Sequence, residues 1–170
     1  MIVAETNRLL ISKFTLKDAP FFLELVNSPI WIKYIGDRKT KTIKEAEERI
    51  ETGHLKSYKT HGFGFYELLL KAENNKPIGT CGLIKRDTLE YVDVGFAMLP
   101  NYESLGLAHE ASIEIIKLAK NVFKLVKIIA ITTPDNDSSI KLLKKLGLIY
   151  KKKVTPFEDE EELMLFTKTL

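Results

Sequence analysis

Residues 92–112, VDVGFAMLPNYESLGLAHEAS, constrain the fold of this chain more than any other stretch. Val92 to Met98 reads as a buried strand, Pro100–Asn101 turns the chain, and a short loop enters a helix at Gly106. The small residues Gly106 and Ala108 allow close approach of the backbone at the positive end of a helix dipole. The first amides of a helix have no internal partner, so such an entry is a ready receptor for phosphate. Ordinary helix–strand packing uses the same pattern, so the stretch alone requires an α/β chain but not a ligand.

The remainder of the sequence predicts one domain over residues 1–170, because no repeat, low-complexity tract or Pro/Ser/Gly-rich linker divides it. A net charge of +3 against 29% charged residues gives no argument for nucleic acid. The single cysteine, Cys81, excludes an internal disulfide framework and fits a reducing compartment, hence a cytoplasmic protein. No apolar leader or run of membrane-spanning length is visible, so no membrane partner is expected. No His, Cys and carboxylate spacing suggests a metal. Cys81 reads as a small core residue, and His54 and His61 are expected at the surface.

Hydrophobic periodicity predicts a strand at 9–14, a helix from a Thr15/Asp18 capping box to about Asn27 ended by Ser28–Pro29, and a polar helix over 42–57. Strands follow at about 63–71, 77–85 and 89–98, with turn signals at Asn74–Asn75 and Arg86–Asp87. A helix from Gly106 to about Val122, a strand over 126–132 and a helix over 138–146 capped by Gly147 come next. Strands at 148–154 and 162–169 close the chain. The expected fold class is α/β, with a mixed, mostly antiparallel central sheet of about seven strands and helices on both faces.

Five segments in this order resemble the Gcn5-related N-acetyltransferase (GNAT) superfamily, in particular its ribosomal-protein N-terminal acetyltransferase branch. They are Glu5-Thr6-Asn7-Arg8-Leu9, Ile78-Gly79-Thr80-Cys81-Gly82-Leu83, Asp93-Val94-Gly95-Phe96-Ala97-Met98-Leu99-Pro100, Gly106-Leu107-Ala108-His109-Glu110-Ala111, and Pro134-Asp135-Asn136-Asp137-Ser138-Ser139 with Leu146-Gly147-Leu148. The resemblance implies transfer of an acetyl group from acetyl-CoA, as cosubstrate and without a metal, to a primary amine such as a protein N-terminus. Acetylation of a small amine, or a CoA-binding module with weak catalysis, are the alternatives. Oligomeric state is left open.

The same resemblance assigns roles residue by residue. Phe96, Ala97 and Met98 would lie along the pantetheine arm, and Ser104, Leu105, Gly106, Leu107, Ala108 and His109 would cradle the phosphates, with Asn136 a further cofactor contact. Asp93 is the candidate base, with Glu90 behind it, and Ser139 the candidate donor to the leaving thiolate. The helix that carries Ser139 shows no Tyr for that task; Leu143 and Lys144 occupy the neighbourhood. Trp31 and Tyr34 are the candidate acceptor wall, in a cleft formed by residues 28–40 and 154–162. One departure concerns the phosphate loop: its first position, usually Gln or Arg in the family, is Glu103 here. A carboxylate cannot donate to a phosphate, but the backbone amides that follow need no particular side chain.

Overall fold

The computed structural model describes residues 1–159 and 161–170. Glu160, inside the acidic run 158–162, lies outside the described residues. Eight strands form one sheet: β1 (Ile2–Glu5), β2 (Leu9–Lys13), β3 (Phe65–Leu70), β4 (Lys76–Ile84), β5 (Val92–Met98), β6 (Lys127–Thr132), β7 (Ile149–Val154) and β8 (Leu163–Thr169). Their order is β1-β2-β3-β4-β5-β6-β8-β7, and every neighbouring pair is antiparallel except β5 and β6. The expected seven strands are therefore eight. The additional one, β1, is a four-residue edge strand too short to show an alternation, and only its pairing with β2 defines it.

The Asn74–Asn75 turn between β3 and β4 has positive φ at both residues, 54° and 58°, the conformation that Asn tolerates and a tight hairpin needs. Helix α1 (Ala19–Val26) follows the expected capping contacts: the Asp18 carboxylate accepts from the Thr15 amide at 2.7 Å and its hydroxyl at 2.9 Å. Pro29 does not only stop α1; it opens a second short helix, α2 (Pro29–Tyr34), at a position where the missing N–H costs nothing. The polar helix is also longer than expected. It runs through α3 (Ile43–Arg49), a wider π-helical stretch at Ile50–Leu55 and α4 (Lys56–His61), and stops at Gly62 with φ +79°. The two remaining helices are α5 (Leu107–Asn121) and α6 (Asp137–Lys145).

Helix α5 lies against β2, β4 and β5 through Leu107, Ala111, Ser112, Ile115 and Ala119, and α6 lies against β6. Cys81 is fully buried beneath α5, its Sγ 3.5 Å from Ser112 Oγ, and burial pushes the thiol up to about 12. It is a core residue, not a nucleophile. His54 departs from its expected surface position. Its ring packs on Phe14 and Phe22, with centroids at 4.5 and 5.0 Å, and burial lowers the imidazole to about 4. The hydrophobic side of a helix whose polar residues dominate the sequence is where such a histidine hides. Among the described residues no helix is long and apolar enough to cross a membrane.

Candidate active site

Strands β5 and β6 run parallel and pair only at Val92–Ile128 and Asp93–Ile129. Beyond that point each keeps its outer neighbour: β5 pairs with β4 as far as Met98–Gly79, and β6 with β8 as far as Thr132–Met164. The inner edges separate, leaving a notch in the middle of the sheet. Its walls are strand backbone without ladder partners, which is unfavourable unless another chain of amides supplies them. Phe96, Ala97 and Met98 line one wall. Both walls lead into helix N-termini, β5 into α5 and β6 into α6; the first amides of α6 are largely taken by Asp135 and Asn136, whereas those of the α5 entry are not.

The loop before α5 is shaped for an anion. Ser104 and Gly106 both have positive φ, 59° and 77°. Left-handed residues next to right-handed ones turn successive N–H groups toward a common concavity. Among the described residues the amides of Ser104, Leu105, Gly106, Leu107, Ala108 and His109 donate to no other backbone group. A diphosphate fits such a loop with no side-chain requirement, and Glu103 at its start does not alter those amides. Partial burial raises the Glu103 carboxyl. His109 is held below its usual range by partial burial and by Lys145, which brings a further cation to this end.

Asp93 sits where the notch begins, 3% exposed, with its Oδ2 2.8 Å from Arg86 Nε. Burial pushes the carboxyl up to about 6, with the Arg86 charge and hydrogen bond and the Ile131 backbone pulling the other way. Arg86 was legible only as a turn residue. Hairpin register brings it to Asp93, since Ile84 pairs with Asp93 and Arg86 follows just beyond the ladder. The Arg86 guanidinium also lies over the Phe157 ring at 5.2 Å, tying the β7–β8 loop to this position. Glu90 lines a neighbouring cavity of about 450 Å³ with Leu89, Tyr91, Ile129 and Leu165. Ile129 is the register partner of Asp93.

Asn136 caps α6, its Oδ1 accepting from the Ser139 amide at 3.2 Å. Its side-chain amide nitrogen makes no hydrogen bond among the described residues. Ser139 stands in the first turn of α6 and is half-buried. Trp31 and Tyr34 lie on α2; Trp31 packs against the core with its Nε1 buried and unpartnered, while Lys33 covers the Tyr34 ring at 4.7 Å. No group of three or more potential metal ligands occurs among the described residues.

Residues 8–149 match the acetyltransferase (GNAT) domain family. The chain is 27% identical over 143 residues to an uncharacterized N-acetyltransferase, p20, of Bacillus licheniformis, covering 84% of this chain and 79% of that protein. Its fold is similar to that of an acetyltransferase from Agrobacterium tumefaciens, with a TM-score of 0.82 and 18% identity over 98% of this chain and 94% of the other. A ribosomal L7/L12 α-N-protein acetyltransferase, RimL, in complex with coenzyme A has the same fold at a TM-score of 0.82 and 10% identity, over 100% of this chain and 98% of the other. The family match spans the notch, the 104–109 loop and both helix entries, and the chain belongs to the GNAT acetyltransferase family.

Proposed function

We propose that this transferase moves the acetyl group of acetyl-CoA to the α-amino group of a protein or peptide, by direct attack in a ternary complex. The observation that carries the reading is the parted β5–β6 pair opening onto six free amides at Ser104–His109. Acetyl-CoA supplies an activated thioester carbonyl. The inner edge of β5 at Phe96, Ala97 and Met98 suits the amide-bearing pantetheine arm, the 104–109 loop suits the diphosphate, and Asn136, at the entry to α6, offers its free amide nitrogen.

The acceptor must be neutral to attack. An α-amino group of pKa near 7.7–8.0 is neutral in roughly 10–20% of molecules at pH 7, a lysine side chain in only about 0.04%. A base of modest strength therefore serves an N-terminus. Asp93, raised to about 6 and shielded from solvent, has a basicity that fits this role. Ser139, at the start of α6, is the proposed donor to the departing thiolate. Trp31 and Tyr34 form the acceptor wall.

A protein N-terminus is favoured over a polyamine or aminoglycoside by charge. Burial and the positive charges of Arg49 and Arg86 lower Arg38, with Asp159 opposing them, so three arginines against that one acid make the Arg86 side of Asp93 a poor environment for a polycation. The likeness of fold to the L7/L12 α-N-acetyltransferase points the same way.

Thermal denaturation with and without CoA tests the cofactor. At free ligand near 100 times Kd, binding adds about 2.7 kcal/mol and raises Tm by several degrees. No shift at millimolar CoA refutes the proposal. Acetyl transfer to a peptide with a free N-terminus, but not to the same peptide N-terminally blocked or to spermidine, tests the acceptor. Preferential turnover of spermidine overturns that half of it.

A further inference from the structure

We infer that Arg8, 97 residues before Leu105, is the positioning residue that aims the diphosphate-binding amides of the loop. The inference rests on the acetyl-CoA reading above. Arg8 Nη1 donates to the Leu105 carbonyl oxygen at 2.9 Å, and its Nε pairs with Glu110 Oε2 at 2.7 Å. The Arg8 amide donates to Glu110 Oε1 at 2.9 Å, and the Thr6 hydroxyl donates to the same oxygen at 2.5 Å. Residues of the β1–β2 turn thus hold both the loop and the first turn of α5.

A trans peptide is planar, with C=O and N–H pointing in opposite directions. Drawing the Leu105 oxygen toward Arg8 therefore turns the Gly106 N–H the other way, away from the guanidinium. With positive φ at Ser104 and Gly106, no repetitive ladder holds this peptide unit, so a side chain has to do so. The guanidinium also stands close behind the loop: a Cβ built on Gly106 would lie 3.4 Å from Arg8 Nη2. Three of its five N–H groups have no hydrogen-bond partner among the described residues. It thereby places a cation beside a loop whose own first residue is the acid Glu103. Glu110 locks that cation in place while lying on α5, so the pair also fixes the loop relative to the helix.

The test compares ligands with and without the diphosphate. Arg8→Gln should raise the calorimetric Kd for CoA about tenfold or more, the scale of losing a charge-assisted hydrogen bond. The value of kcat at saturating acetyl-CoA should hold, with KM rising. S-acetylpantetheine lacks the diphosphate, so its kcat/KM should be unchanged. Glu110→Gln should give the same pattern, and the double variant should lose no more than either alone, because both act through one clasp. If Arg8→Gln does not fold, Arg8→Lys takes its place and should show a smaller loss confined to CoA. Equal losses with CoA and S-acetylpantetheine overturn the inference and leave Arg8 a fold anchor. Unchanged CoA affinity also overturns it. Failure of the unaltered protein to bind CoA instead refutes the acetyl-CoA reading itself.

Discussion

A carboxylate as buried as Asp93 persists only with a partner, and Arg86 supplies it. The partner does not disable the group, because desolvation outweighs the attraction and leaves it titrating at about 6. A base acts when ionised and an amine attacks when neutral, so kcat/KM should rise with pH through about 6 and again toward about 8, where the α-amino group loses its proton. Asp93→Asn should cost about 100-fold near pH 7 and abolish the lower rise while leaving that of the acceptor. Arg86→Gln removes the positive charge that lowers the carboxyl, so the lower rise should move to higher pH. A pH profile identical in Asp93→Asn and the unaltered protein would mean that the carboxylate spaces the parting strands without taking a proton. Asp93 was visible in the sequence from its place before Gly95–Phe96. Arg86 was not, because a residue seven positions earlier becomes a neighbour only when a hairpin folds back.

Elements were legible where local chemistry decides them. The helix entries at Gly106 and Asn136, the Asn74–Asn75 turn and the Gly147 stop, with φ +83°, all depend on one or two residues and their backbone preferences. Element ends were missed where the deciding contact is distant, as for β1, which exists only as an edge of β2. At the start of α6 the cap made by Asn136 can be told apart from its proposed cofactor contact. Asn136→Ala should destabilise the protein by about 1 kcal/mol, from loss of the cap, and weaken CoA binding. Asn136→Ser keeps a capping oxygen but has no side-chain amide, so stability should be near normal while CoA binding stays weakened. Urea midpoints beside calorimetric Kd values decide this; full CoA affinity in Asn136→Ser reduces Asn136 to a cap.

At the scale of the whole molecule, Glu67 in the centre of β3 is a buried carboxyl whose charge the fold disfavours. It is 5% exposed and has no hydrogen-bond partner among the described residues. Burial, then Asp18, raise its carboxyl to about 7, and the chain's amino terminus opposes them. The folded pKa exceeds the ordinary carboxylate value, so the native state holds the proton longer than the unfolded chain. Stability attributable to this group is therefore intact at low pH and falls as pH rises from about 4.5 to 7. Glu67→Gln should be neutral at pH 4 and stabilising by roughly 1–2 kcal/mol at pH 8, read from urea midpoints at the two values. Loss of stability at pH 8 in the variant would show that the ionised form has a favourable role.

The sequence by itself determined most element types, the family resemblance and the position of the loop that enters α5 at Gly106. Each of these is written in short-range features: apolar periods, turn residues, caps and motifs of a few residues. Only the tertiary structure decided that β5 and β6 part after Asp93, that Arg86 holds its carboxylate, and that Arg8 and Glu110 clasp the loop from opposite ends of 102 residues. These features depend on sheet register and on helix placement over it. Such contacts join residues far apart in the chain, and no local propensity encodes which of them will meet.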